Sequence, residues 1–358
     1  MTRNSVANKI LPEDRPFHDW YRFVLSYPPH LVRDYLDKFE AGRRSTILDP
    51  FAGTGTTMVE CKKWRYRSIG IETHPMSHFA CQTKVDWTGN PDELVRSAEK
   101  IANVAARKCG FKSGGRDFLA LYEDSLLATS KLRRLAEDAG RILLKDSISP
   151  LPLHKTIILR EAIESQESKF TGYFRLALAR TVVGDASNLN FGPEVGIGKP
   201  KSDAPVIEAW LKNMYQMASD LRGVQGRRYP ATKVHLADSR NIGKIIPKES
   251  IDLVITSPPY PNEKDYTRTT RLESVILRFV QSRAELKKLK QGLMRSNTRN
   301  IYKGDNDDDW LNGAESIRTL AGEIEARRVE LGKTSGFERL YHQVVLQYFG
   351  GMARHFES

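Results

Sequence analysis

The chain has 358 residues, 40% hydrophobic and 28% charged, a balance that supports one large folded domain or two ordinary ones and excludes a disordered polymer. It contains no apolar run near the roughly 18 residues a membrane span needs, no apolar signal core in residues 1–17, and only three scattered cysteines, Cys61, Cys81 and Cys109, so a reducing, cytoplasmic setting without membrane contact is expected. Lys and Arg outnumber Asp and Glu by 56 to 44, a net charge of +12 with pI ≈ 9.5, which points to a polyanion such as DNA or RNA, or simply to a basic globular protein.

Residues 15–40 read as an aromatic-rich lead-in followed by a helix. Pro28 and Pro29 end the first element, and Leu31, Tyr35 and Leu36 mark the apolar face of the second. A short buried strand over 45–50 runs into a glycine turn at 53–55 and a helix from about Thr57 to Trp64; a second apolar strand, 67–72, ends in an acid. Strand, glycine turn, helix, strand is a βαβ unit with a parallel sheet behind it. Residues 90–230 are mostly helical, with 3.6-residue periodicity over 92–107 and 204–221 and basic pieces at 131–134, 154–160 and 227–228. The Gly- and Pro-rich stretch 188–205 reads as a surface loop. The sheet resumes with 233–238 and 251–256, and helices are predicted over 268–291, 314–331 and 336–356; within the last, 343–349 has strand composition but helical flanks. Three segments follow: a first part of an α/β domain (15–88), a helical insertion (89–232) and a second part of the α/β domain with C-terminal helices (233–358).

The glycine turn lies in a position to hold a cofactor. Gly53 and Gly55 let the backbone turn tightly and approach a ligand, and the helix start beyond offers free N–H groups. A P-loop would need Lys before its Ser/Thr, and Thr56 and Thr57 stand there instead. A dinucleotide fingerprint would need a third glycine where Met58 stands. S-adenosyl-L-methionine, which carries no phosphate, remains. Three acids, Asp49, Glu72 and Asp238, close three successive strands, and ligands of open α/β sheets bind beyond such strand ends. Glu72 could accept both ribose hydroxyls, Asp238 the adenine amino group, and Asp49 could face the methionine cation. Each acid taken singly could equally be a helix N-cap.

The fourth strand runs into Ser257, Pro258, Pro259 and Tyr260. The prolines stiffen the loop and remove two N–H donors. The Ser257 hydroxyl and Pro258 carbonyl could hold both N–H protons of a base's exocyclic amine, turning its lone pair toward a methyl donor, while Tyr260 stacks on a flipped base. A proline-stiffened turn with a packed tyrosine is the plain alternative.

With the 49–57 turn, Glu72, Asp238 and the 256–260 loop, the sequence resembles the amino-methylating DNA methyltransferases, which act on cytosine N4 or adenine N6. The 26–36 segment resembles that family's extra N-terminal cofactor segment, and the run 261–268 resembles the family too, without an assignable role. The resemblance implies a doubly wound, Rossmann-like methyltransferase sheet, S-adenosyl-L-methionine, and double-stranded DNA with the target base flipped out. It further implies catalytic residues Ser257, Pro258, Pro259 and Tyr260 and cofactor residues Tyr27, Asp49, Phe51, Gly53, Gly55, Thr56, Thr57, Glu72 and Asp238, with no metal. Ser257 before Pro-Pro-Tyr looks more like the cytosine-N4 members, and a restriction–modification setting is the expected context. The helical block sits where one arrangement of the family puts target recognition.

Other chemistries fit less well. A C5-cytosine mechanism wants a cysteine nucleophile, usually after proline, and Glu60, Ala80 and Lys108 precede the three cysteines. His74, His78 and Cys81 share a helix face and could be metal ligands, but no second cluster accompanies them. Candidate phosphate contacts are Arg283, Lys287, Lys288, Lys290, Arg295, Arg299 and Lys303, or Arg160, Arg227 and Arg228; the acidic run 305–309 interrupts the first group. Only four strands are legible, so the sheet reads as incomplete at its C-terminal end: a truncated form, a decayed remnant, or a chain whose sheet a second chain completes. The rivals are therefore an RNA exocyclic-amine methyltransferase and a non-catalytic subunit that binds DNA or a partner.

Overall fold

Two short helices, α1 (Arg15–His18) and α2 (Pro29–Lys38), precede the first strand, β1 (Thr46–Asp49). The chain then follows α3 (Thr56–Lys63), β2 (Arg67–Glu72) and α4 (Pro75–Lys84). The computed structural model describes residues 9–110, 132–192, 194–261 and 264–358. β1 and β2 pair in parallel, Thr46 opposite Arg67 and Asp49 opposite Gly70, with α3 as the crossover that a parallel pair requires.

The helical block comprises α5 (Pro91–Lys108), α6 (Glu137–Arg141), α7 (Pro150–Glu164), α8 (Thr171–Thr181) and α9 (Val206–Val224). Asn90 caps α5 by accepting the Asp92 and Glu93 N–H groups at 3.0 Å, and Leu94, Ala98, Ile101 and Ala105 form its buried stripe. The stretch 188–205, expected to be a loop, contains an antiparallel hairpin, β3 (Leu189–Phe191) with β4 (Val195–Ile197). Its turn chemistry was visible; its three-residue strands were too short to show alternation.

β5 (Thr232–Leu236) then pairs with β2, and β6 (Leu253–Val254) with β1. The pairs of this four-stranded sheet are parallel and its order is β5-β2-β1-β6. The first strand thus lies between the second and the fourth, where connections depart in opposite directions and a crevice opens at the carboxyl ends. β6 is shorter than the expected 251–256, and its outer side has no strand partner among the described residues, leaving Val254 51% exposed.

Five helices end the chain: α10 (Tyr266–Thr269), α11 (Arg271–Ile276), α12 (Arg283–Gly292), α13 (Glu315–Glu330) and α14 (Tyr341–Glu357). The single helix expected over 268–291 is broken because Arg278 takes a left-handed φ of +62°, and Ser282 caps a fresh start by accepting the Glu285 N–H at 3.2 Å. On one sheet face Ile47 packs with Val32, Leu36, Cys61 and Ile255; Leu48 and Ile71 pack with Ile246. Val32, not the half-exposed Tyr35, completes the inner face of α2. The largest core joins Trp20, Met58, Ile101, Phe174 and Trp210, so the helical block shares its interior with the helices flanking the sheet.

Candidate functional site

The glycine turn hangs from β2. Ala52 donates its N–H to the Ile71 carbonyl at 2.9 Å, and Gly53, at φ +52°, donates to Glu72 Oε2 at 2.8 Å. The other Glu72 oxygen accepts the His74 N–H at 2.7 Å. Burial pushes the Glu72 carboxyl up to about 7, against the pull of the His74 and Gly53 N–H groups. Gly55 caps α3 at φ +90°, and a Cβ there would meet Cys81 Sγ at 2.7 Å. One glycine shapes the turn toward the cleft, and the other lets α3 pass close to α4.

Asp49 is fully buried. Its Oδ1 accepts the Phe51 N–H at 3.1 Å and the Thr256 hydroxyl at 2.7 Å, and its Oδ2 accepts the Tyr27 hydroxyl at 3.3 Å. The Tyr27 and Thr57 hydroxyls bond each other, and Thr57 also donates to the Ile255 carbonyl at 3.3 Å. Burial raises the Asp49 carboxyl, opposed by its hydroxyl and N–H donors. The structure places Asp49 beneath the cleft, not facing it as the strand-end position led one to expect.

Above that floor lies a cleft of about 1010 Å³, counted out to its open mouth. Of the expected cofactor residues, Tyr27, Phe51, Gly53, Thr56, Glu72 and Asp238 line it; Ser257, Pro258, Pro259 and Tyr260 line it from the opposite chain segment. Asp49, Gly55 and Thr57 do not reach its surface. The Ser257 and Tyr260 hydroxyls bond each other at 2.9 Å, and the Tyr260 ring is 43% exposed. Asp238 reaches the cleft already paired: it accepts the Arg240 N–H at 2.9 Å and Arg240 Nη2 at 2.6 Å, while Arg240 also reaches Asp307. Ser26, in the segment expected to serve the cofactor, also lines the cleft; sequence reasoning missed Phe23, His74, Tyr266, Thr270, Leu293 and Met294 on its wall. The lead-in aromatics and the 261–268 run were the available signals for two of them, and Asn262 and Glu263 of that run lie outside the described residues.

His74 is held at Nε2 by the Thr270 hydroxyl at 3.0 Å, and His78 Nε2 lies 3.2 Å from the Val234 carbonyl. Among the described residues no group of three or more His, Cys, Asp or Glu could hold a metal.

The candidate phosphate contacts divide sharply. Arg295 is buried, donating to Asp305 at 2.6 and 2.8 Å and to backbone carbonyls. Lys290 Nζ pairs with Asp265 at 2.7 Å, and buried Arg160 donates to the Ile276 carbonyl at 3.1 Å. These three brace the interior, which corrects the expectation for them. Arg283, Lys287, Lys288, Arg299, Lys303, Arg227 and Arg228 are exposed; Lys131 lies outside the described residues. The acidic run does not oppose them uniformly, because Asp305 and Asp307 turn inward onto Arg295, Arg240 and Arg354.

Fold and site define a class: an α/β protein whose parallel strands end in one cleft that holds a glycine turn, strand-end acids and a Ser-Pro-Pro-Tyr loop. Residues 18–79 match the family model N6_N4_Mtase, described as DNA methylase. The Type II methyltransferase M.BsoBI of Geobacillus stearothermophilus is 28% identical over 280 residues, covering 76% of this chain and 54% of that protein. M.AvaI of Nostoc is 22% identical over 286 residues (76% and 57%), and M.MvaI of Kocuria varians 24% over 267 (69% and 54%). The chain is thus similar, over residues 18–79 and along its matched relatives, to N6/N4-type DNA methyltransferases, whose methyl donor is S-adenosyl-L-methionine. It spans about half the length of the curated relatives it matches. No solved structure matches, and no helix among the described residues is long and apolar enough to cross a membrane.

Proposed function

We propose that the chain is an S-adenosyl-L-methionine-dependent DNA methyltransferase acting on an exocyclic amine, cytosine N4 before adenine N6, in a restriction–modification system. The observation that carries this reading is the shared cleft: Gly53 and Glu72 from one half of the chain face Ser257 and Tyr260 from the other, some 200 residues on.

The residues present fit the donor. The space in front of Gly53 is open: a Cβ at that position would have the Phe51 carbonyl as its nearest neighbour, at 3.9 Å. An ionised carboxylate has about four acceptor positions; Glu72 accepts the Gly53 and His74 N–H groups, one on each oxygen, and in its ionised form keeps acceptor capacity for ribose hydroxyls. Bound there, the donor supplies a methyl group on a sulfonium leaving group. The chain supplies orientation: Ser257 Oγ and the Pro258 carbonyl accept the amine protons of a flipped base, and Tyr260, already exposed, stacks on it. Opening the Ser257–Tyr260 hydrogen bond frees both groups for that purpose. The Ser before Pro-Pro-Tyr supports cytosine N4. The helical segment 89–232, with exposed Arg227 and Arg228, is the proposed target-recognition region.

The outer side of β6, without a strand partner among the described residues, favours a second reading, in which the sheet is incomplete and a second polypeptide along β6 is needed for activity. Methyl transfer from labelled cofactor to DNA and, separately, to tRNA tests the proposal, with methylome sequencing of expressing cells to identify base and site. Transfer to DNA is expected; transfer to tRNA alone refutes DNA as substrate, and transfer only after adding another protein selects the second reading. Tyr260→Ala should lower transfer on the order of 10- to 100-fold through lost stacking while cofactor affinity stays near wild type. Equal loss of both contradicts the stacking role.

A further inference from the structure

The run after the candidate catalytic loop has no part in the reading above, yet two of its members lead back to that loop. Asp265 is buried. Its Oδ1 accepts the Arg268 N–H at 3.2 Å and the Thr267 hydroxyl at 2.7 Å, capping α10, and its Oδ2 takes Lys290 Nζ from α12 at 2.7 Å. Tyr266 opens α10. Its hydroxyl accepts the backbone N–H of Tyr260 at 3.2 Å, and its ring stacks on Phe23 with centroids 5.8 Å apart and planes at 29°. Its carbonyl accepts the Thr270 hydroxyl at 3.0 Å, the same hydroxyl that meets His74 in the cleft wall.

Pro258 and Pro259 carry no N–H. The Tyr260 N–H is therefore the backbone donor by which the Pro-Pro-Tyr tip can be tied sideways, and Tyr266 takes it. Two prolines make the tip stiff but do not anchor it; a stiff loop without a lateral tie swings as a unit, and displacement of about 1 Å at a reacting group can cost on the order of 100-fold in rate. Burial pushes the Tyr266 phenol up to about 12, so it remains a neutral hydroxyl at working pH.

We propose that Asp265 and Tyr266 form a positioning device for the 257–260 loop: Lys290 holds Asp265, Asp265 sets the start of α10, and Tyr266 ties the tip over the cleft. The proposal rests on the function proposed above. Neither residue touches substrate in it; both act through Tyr260.

The test uses the full chain and Tyr266→Phe, which deletes one hydroxyl and keeps the ring on Phe23. Amide hydrogen exchange at Tyr260 is expected to accelerate on the order of 10-fold, with global stability near wild type. Single-turnover methyl transfer to DNA should fall on the order of 10-fold, with cofactor affinity within about 3-fold. Lys290→Met, which unties Asp265 from a distance, should shift both readouts the same way to a smaller extent. Unchanged exchange in Tyr266→Phe overturns the tie. Faster exchange with unchanged transfer overturns its positioning role, as does parallel loss of transfer and cofactor affinity, which would assign Tyr266 to the pocket itself. A wild-type chain that neither binds the donor nor methylates DNA refutes the parent reading instead, while the exchange arm, needing no substrate, still decides the tie.

Discussion

Gly55 and Gly53 stand two residues apart, both left-handed, and the structure predicts that alanine at each fails for a different reason. At Gly55 (φ +90°) the left-handed backbone costs alanine about 1–2 kcal/mol. The new methyl also meets Cys81 Sγ at 2.7 Å, Cα at 3.2 Å and Cβ at 3.3 Å in a buried contact, and such overpacking adds about 1–3 kcal/mol. Gly55→Ala should therefore destabilise by about 2–5 kcal/mol. Cys81→Ala deletes the atom in closest conflict, so Gly55→Ala with Cys81→Ala should fall short of additivity by about 1–2 kcal/mol. At Gly53 (φ +52°) the nearest atom is the Phe51 carbonyl at 3.9 Å; Gly53→Ala should cost only the left-handed backbone's about 1–2 kcal/mol, show no coupling to Cys81, and weaken cofactor binding by putting a methyl in the cleft. Urea denaturation of the variants, read as midpoint shifts at constant slope, decides the matter. Equal losses at the two glycines, or strict additivity of Gly55→Ala with Cys81→Ala, would refute the assignment of Gly55 to helix packing.

Lys84 is buried, donates to the Tyr21 carbonyl at 3.2 Å, and is held down by burial to about 7 from its ordinary 10.5. The unfolded chain then holds more protons between those values, so stability rises with pH across that window and is lost as pH falls through about 7; Lys84→Met should remove this slope, a difference on the order of a few kcal/mol, and denaturation curves of the variant that parallel wild type from pH 7 to 10 would refute it. Among the basic residues, alanine at Lys287 or Lys288 should each lower the salt slope of DNA binding by about 0.9 for each phosphate no longer neutralised, without altering stability. Arg295→Ala should instead strand Asp305 and cost about 3–5 kcal/mol of stability; a changed salt slope with intact stability would contradict its buried role.

The strands, the glycine turn and the stiff Ser-Pro-Pro-Tyr loop are legible because each is local: an apolar run ending in an acid, two glycines, two prolines. What was illegible depended on partners far along the chain. Nothing near Arg295 distinguishes it from Arg299, yet one is buried on Asp305 and the other exposed. Arg160 reads as a surface cation in a basic piece, but α7 is buried on most sides and turns it inward. Tyr35 fits an apolar stripe by spacing, whereas Val32 supplies the side chain that meets Ile47. The break at Arg278 leaves no glycine or proline to announce it. The set of buried His18 and Glu60 with partly exposed Arg33, joined by contacts of 2.8 and 2.9 Å, is not visible in the sequence because its members lie on three separate elements.

Asp49 shows how the two kinds of information meet. Its place at the end of β1 marked it as a cleft acid, and the family resemblance assigned it to the cofactor. In the fold its carboxylate accepts from Phe51 in the glycine turn, Tyr27 in the N-terminal segment and Thr256 at the root of the Ser-Pro-Pro-Tyr loop. A carboxylate with three donors already in place, fully buried, has little left to offer a ligand; what it does offer is a common anchor for three segments that must converge. That accounts for a feature the strand order alone does not: parallel strands put all four carboxyl ends on one side of the sheet, but side by side they only bring the loops near each other. The shared anchor sets their mutual position, so the glycine turn and the Ser-Pro-Pro-Tyr loop, distant in sequence, bound one cleft instead of two adjacent ones.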